Sequence, residues 1–149
     1  MIRSAVLALS LAATGASLAI AASPADTIAA RQANFKKMGG AMKVIKDELA
    51  GGADKAKMVG AARTIAAMAR AQGPLFPKGT GPGAGVKTDA LPAIWTDRVT
   101  FDGHARKLIA EADKLVAVAG SGNAAAVGAQ FKAVGGTCGG CHKAFRADD

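Results

Sequence analysis

The sequence predicts an all-α protein, an antiparallel four-helix bundle with a long loop between helices 2 and 3. Three observations lead there. Half of the 149 residues are apolar, mostly Ala, and only 4% are aromatic; small side chains with few β-branched ones favour close-packed helices over sheet. Four segments carry apolar residues at the helical period. Two of their links are short and one is long, which is bundle connectivity.

The first helix is expected from Pro24 to Leu49. Pro24 suits a first turn and Asp26 favours the positive helix end. Ile28, Phe35, Met38, Met42, Ile45 and Leu49 form one stripe, and Gly51-Gly52 ends it. The second runs from Ala53 to Ala71, with Met58, Ala61, Ile65, Met68 and Ala69 inward, and stops at Gly73-Pro74. Pro74 to Pro92 follows as a crossover loop, holding four of the five prolines. Loops this long are often functional. The third helix is expected from Ile94 to Val118, with Trp95, Val99, Leu108, Ala112 and Leu115 on one side. After a turn at Ser121-Gly122-Asn123, the fourth runs from Ala124 to Arg146. Its inner positions are Val127, Phe131, Val134, Cys138, Cys141 and Phe145. So few large side chains leave room in the core for a bulky cofactor.

The formal charge is +8, and the chain has no Tyr and a single Trp. With little to stack on bases, nucleic-acid binding is not expected. The basic balance suits an acidic partner, a membrane surface or simply a solvated exterior. At the N-terminus, Arg3 precedes an apolar run from Ala5 to Ile20, and Ala19-Ile20-Ala21 fits signal peptidase. Residues 1–21 therefore read as a signal peptide that is removed, and residues 22–149 as the functional domain, exported to a bacterial periplasm with no membrane span. An uncleaved anchor is the alternative, for which the run is marginal. Removal takes Arg3 alone among charged residues.

Cys138-Gly139-Gly140-Cys141-His142 is the attachment pattern for c-type haem. Each thiol adds across one porphyrin vinyl group. Two intervening residues let both sulfurs reach one macrocycle edge, and the next residue turns its imidazole under the iron. A zinc site needs about four ligands, and only His104 remains to supplement this motif. A thioredoxin-like pair needs a helix start in a βαβ context, whereas this pair lies near the end of a helical chain. The expected cofactor is one haem c, covalent through Cys138 and Cys141, with His142 as metal ligand.

The C-terminal placement of this motif, with Phe145 and Arg146 following, resembles the class II cytochromes, cytochrome c prime and its low-spin relatives. So do Arg31-Gln32-Ala33-Asn34-Phe35-Lys36-Lys37-Met38-Gly39, Leu75-Phe76-Pro77-Lys78-Gly79-Thr80-Gly81 and Ala93-Ile94-Trp95-Thr96-Asp97. The resemblance implies that one first-helix residue faces the distal side of the haem, and by alignment it is Phe35. A phenyl ring has no lone pair for iron, so five-coordinate, high-spin iron is expected. Met38 and Met42 share the helix face of Phe35 and supply the alternative, a six-coordinate low-spin carrier; His104 is a further candidate ligand. The resemblance also puts Arg31 near a haem propionate and Arg146 near the proximal ring, each with an ordinary surface charge as the competing reading. Trp95, Phe131 and Phe145 are expected around the porphyrin, or else in ordinary core packing. Lys36, Lys37 and Lys43 read as a solvated face or a docking patch. The expected partners are a redox protein, a diatomic gas (nitric oxide or carbon monoxide), or both, with a homodimer through the first two helices. Enzyme activity is not expected, because a peroxidase would need a distal acid–base histidine.

Overall fold

The computed structural model describes residues 22–148, so the expected signal peptide lies outside the described residues. Helix α1 spans Pro24–Asp47, and the side chain of its N-cap Ser23 accepts from the Asp26 amide at 3.1 Å. A π-helical turn, Glu48–Gly52, follows, and the chain reverses at Ala53 with φ 47. Glu48 organises this corner. Its carboxylate accepts from the Asp54 amide at 3.1 Å and pairs with Lys57 at 3.0 Å. A Cβ at Gly52 would meet that carboxylate and push it out of this arrangement.

Helix α2 spans Lys55–Ala71, capped by Asp54, and a 3-10 turn at Gly73–Leu75 leads into the crossover loop. The expected third helix is interrupted. A short helix α3, Ala93–Thr96, precedes α4, Arg98–Ser121. At the break, Asp97 leaves helical geometry and its side chain accepts from the Thr100 amide at 3.2 Å. The restart resets the helical face. Phe101 is buried there, and Val99, expected inside, is 81% exposed. Helix α5, Ala124–Phe145, is capped by Asn123, which accepts from the Ala126 amide at 3.0 Å.

Helix α1 packs along α2, α2 along α4, and α4 along α5. Apolar burial drives this packing: Ile45, Met58, Ile65, Leu115, Val127 and Val134 are fully buried between the helices. Cross-links add register. The Asn34 amide donates to the Met68 carbonyl at 3.0 Å, Arg70 pairs with Asp113, and Gln130 donates to the Glu111 carboxylate at 2.6 Å. A second cluster, Phe76, Ile94, Phe101 and Phe145, closes the loop end of the bundle. The tail of α5 is tied there too. The Leu91 amide donates to the Phe145 carbonyl at 3.0 Å, and the Ala147 amide to the Asp89 carbonyl at 2.8 Å. No described helix is long and apolar enough to cross a membrane.

Candidate functional site

Gly128 of α5 approaches Leu49 at the turn end of the bundle, but below that point α1 and α5 do not close on each other. Between them lies a cavity of about 430 Å³, within the size range of cofactor pockets, ~300–1,000 Å³. Its α1 wall is Arg31, Gln32, Phe35, Met38, Gly39 and Met42. Its α5 wall is Thr137, Cys138, Cys141, His142, Phe145 and Arg146. Phe101, His104 and Leu108 of α4 form the back, with Phe76 and residues 88–90 of the loop at one end.

The sequence explains the α5 wall. Residues 138, 141, 142 and 145 recur at helical steps, so one helix face turns both thiols and the imidazole into the same space. Gly140 faces α4, where a Cβ would make an ordinary contact with the His104 imidazole at 3.6 Å. Neither cysteine is in a disulfide. Burial pushes both thiols up from their ordinary value. Both also lie in the C-terminal half of their helix, where the dipole disfavours thiolate. This is the reverse of a thioredoxin-like pair, whose reactivity needs a depressed thiol pKa. Among the described residues no three His, Cys, Asp or Glu side chains are gathered as a metal-ion cluster. Burial, and then the charge of Arg146, hold His142 below its ordinary value. Both causes favour the neutral imidazole, the form that binds metals.

The α1 wall is anchored by Arg31. It is 3% exposed, not a surface charge. Its guanidinium donates to the Leu75 carbonyl and the Thr80 hydroxyl at 3.3 Å, to the Thr80 carbonyl at 2.9 Å and to the Thr88 hydroxyl at 2.8 Å. It also lies over the ring of Phe76, 4.6 Å from the centroid. Arg31 therefore gathers both ends of the crossover loop against α1. No carboxylate among the described residues lies within ion-pair distance of it, and burial lowers its pKa.

Phe35 is half-buried, with the ring of Phe76 at its edge, 6.3 Å between centroids. From the Leu49–Gly128 approach, the same number of residues counted down the two antiparallel helices brings Phe35 roughly level with His142. Met42 then sits about 10 Å further along, at 1.5 Å per residue. Met38 is 4% exposed and belongs to the main core. His104 stands beside the cysteine segment, not across from it.

Six of the seven expected site residues therefore line one cavity. The seventh, Trp95, does not. It packs on the loop instead, its ring against Gly81 and its indole N–H donating to the Pro77 carbonyl at 2.9 Å. The break at Asp97 gives α3 its own direction, which carries Trp95 behind Phe76. Phe131 also lies off the cavity, against the main core, whereas Phe145 lines it. Phe76, Phe101 and Gln72 join the site without having been expected there. Phe76 sits in a loop with no helical period, and the face of Phe101 depends on the break. Gln72 lies at the α2 terminus with no sequence signal beyond its position.

Comparison with known proteins agrees with this arrangement. The family profile described as Cytochrome C' matches residues 26–146. A cytochrome c' of Allochromatium vinosum is 39% identical over 136 residues, covering 89% of this chain and 88% of that one. The solved structure of a cytochrome c' with an unusual ligand-controlled dimer dissociation superposes with a TM-score of 0.83. It is 35% identical and covers 87% of this chain and 100% of that one. A substituted cytochrome c prime from Alcaligenes xylosoxidans, solved as its nitric oxide complex, superposes with a TM-score of 0.77 at 26% identity, covering 86% and 98%. A helical bundle opened between its first and last helices, a cysteine–histidine helix face on that opening, and a match over nearly all described residues leave one conclusion: the chain belongs to the cytochrome c' family of c-type haem proteins.

Proposed function

We propose that this chain holds one haem c in the α1–α5 cavity, thioether-linked through Cys138 and Cys141 with His142 as axial ligand, and that it binds a diatomic gas and transfers electrons. The observation that carries the reading is the single helix face that turns two unpaired thiols and an imidazole into one largely apolar cavity. When bound, the group supplies a redox-active iron with one coordination position beyond its ring and His142.

The chain's own residues define that position. Phe35, roughly level with His142 on the opposite wall, fills space without donating a lone pair. Its polar neighbours on α1 are already committed: the Gln32 amide to the Lys87 carbonyl at 3.1 Å, and the terminal N–H groups of Arg31 to the loop. This supports nitric oxide or carbon monoxide over oxygen, which relies on a hydrogen-bond donor. The nitric oxide complex of the Alcaligenes xylosoxidans relative points the same way. Electron exchange is supported by charge. Between their terminal residues, α1 carries Arg31, Lys36, Lys37, Lys43 and Lys46, and α5 carries Lys132 and Lys143, with no carboxylate before Asp47 on α1 after Asp26 and none on α5. Leaving aside the buried Arg31, the lysines of these two walls suit an acidic redox protein. Export to the periplasm after removal of residues 1–21 and assembly as a homodimer complete the proposal. An enzymatic role is not part of it.

A second reading keeps Met38 or Met42 as sixth ligand, since both residues line the same cavity. An optical spectrum of the purified protein decides between them. A broad high-spin ferrous Soret band that shifts with carbon monoxide supports the open site; a sharp low-spin spectrum with a methionine–iron band overturns it. Phe35→Met should move the protein toward low spin. Replacing Cys138 and Cys141 with Ser should leave the haem extractable by acid acetone.

A further inference from the structure

Gln72 is the C-cap of α2 and is 6% exposed, yet its side-chain amide has no hydrogen bond among the described residues. It lines the cavity. No polar side-chain atom among the described residues is sealed from solvent without a partner, so the small exposure left to this amide is what keeps it open to a ligand. A polar group this far inside a fold is nearly always paired, so a ligand that fills the cavity and excludes solvent has to supply its partner. The polar groups near it are otherwise committed. Gln32 donates to the Lys87 carbonyl, and the Thr88 hydroxyl accepts from both Arg31 and the Ala90 amide. Asp89 pairs with Arg146 at 3.5 Å.

A second imbalance lies close by. Arg31 is a buried cation without a carboxylate, and its terminal N–H groups are spent on neutral oxygens. Arg31 and Gln72 meet through one short segment: Arg31 donates to the Leu75 carbonyl, and the Leu75 amide donates to the Gln72 carbonyl at 3.0 Å. A single carboxylate placed at this corner resolves both deficits. It compensates the charge of Arg31 and accepts from the Gln72 amide. A carboxylate entering a poorly hydrated site needs both a countercharge and donors, and here one residue has charge to give while the other has free N–H groups.

We infer that Gln72 is a cofactor-binding residue, donating its side-chain amide to a propionate carboxylate of the haem beside Arg31. This rests on the haem reading above. It makes the end of α2 part of the site, although α2 contributes none of the residues expected from the sequence.

The test is resonance Raman spectroscopy of the holoprotein, comparing wild type with Gln72→Leu, which keeps the volume and removes the donor. The propionate bending band should shift in the variant, while the C–O stretch of the carbon monoxide adduct stays unchanged. Gln72→Met asks the same question with a more adaptable side chain should the leucine variant fold poorly. A shifted C–O stretch with an unmoved propionate band would mean that the amide serves the gas ligand, and overturns the inference. Bands that all match wild type overturn it as well. Arg31→Lys separates this assignment from the haem reading. If it moves the propionate band and Gln72→Leu does not, the haem reading stands and this assignment fails; a chain that carries no haem at all ends both.

Discussion

Asp89 and Arg146 stand 3.5 Å apart where the crossover loop meets the end of α5. Backbone hydrogen bonds from Leu91 to Phe145 and from Ala147 to Asp89 bracket the pair. Each side chain is 43% exposed, so the pair contributes at most ~1 kcal/mol to stability. Its consequence is electrostatic, because Arg146 lies one turn beyond His142 and, after burial, helps lower the pKa of that imidazole.

With haem in place, the two charges should act on the reduction potential with opposite signs. A cation near the iron disfavours the more positive ferric form and raises the potential. Arg146→Gln should therefore lower it and Asp89→Asn should raise it. Unit charges about 10 Å apart in water interact by ~0.4 kcal/mol, which is about 20 mV for one electron. Spectroelectrochemical titration at low salt measures both shifts, and added salt should shrink them. Shifts of the same sign would show that the pair acts through backbone geometry instead.

Arg31 predicts a loop phenotype. Arg31→Ala leaves the Leu75 and Thr80 carbonyls without their donor and should cost about 3 kcal/mol in chemical denaturation. Limited proteolysis should then cut within residues 76–92 faster than in wild type, since local opening rises when anchoring contacts go. Arg31→Lys should recover only part of this, because an ammonium cannot reproduce the planar fork. Cleavage at the wild-type rate in the alanine variant would show that Arg31 does not clamp the loop.

Two glycines should respond oppositely to alanine. A Cβ at Gly81 would meet the Trp95 ring at 2.9 Å, and overpacking of this kind costs ~1–3 kcal/mol. Gly60 lies inside α2, where an added methyl would meet open space, so Gly60→Ala should stabilise by about 1 kcal/mol. Thermal unfolding compares the two. Near-ultraviolet circular dichroism adds a check, because only Gly81→Ala should disturb the single tryptophan.

Glu48 gives the pH dependence. The hydrogen bond from Lys57, then that from the Asp54 amide, hold its carboxyl below the ordinary value of 4.5. A carboxyl depressed in the folded state stabilises above its unfolded pKa, and the gain disappears as pH falls through the folded value. The thermal midpoint should thus fall more steeply between about pH 5 and pH 3 in wild type than in Glu48→Gln. Parallel pH profiles would assign the acid sensitivity elsewhere; Glu111, depressed by Lys114 and then Gln130, is the next group to replace.

The fold is legible in the sequence because helices of this length write their buried face at a fixed period, and the helix ends carry Asp54, Asn123 and Gly122 where caps belong. The haem pentapeptide is legible for the same reason: its residues are neighbours on one helix, so spacing alone fixes their common direction. The directions of Val99 and Trp95 are not, because one residue, Asp97, caps a new helix and turns the face on either side of it.

The chain by itself therefore determined what local geometry can encode: four helices, their order, and a cysteine–histidine face on the last of them. Only the tertiary structure decided that Arg31 is buried and spends its hydrogen bonds on the crossover loop, that Phe76 backs Phe35, and that Gln72 faces the cavity unpaired. Those relations join residues dozens of positions apart. They depend on how α1 and α5 stand away from each other, and no periodicity within a single segment records that separation.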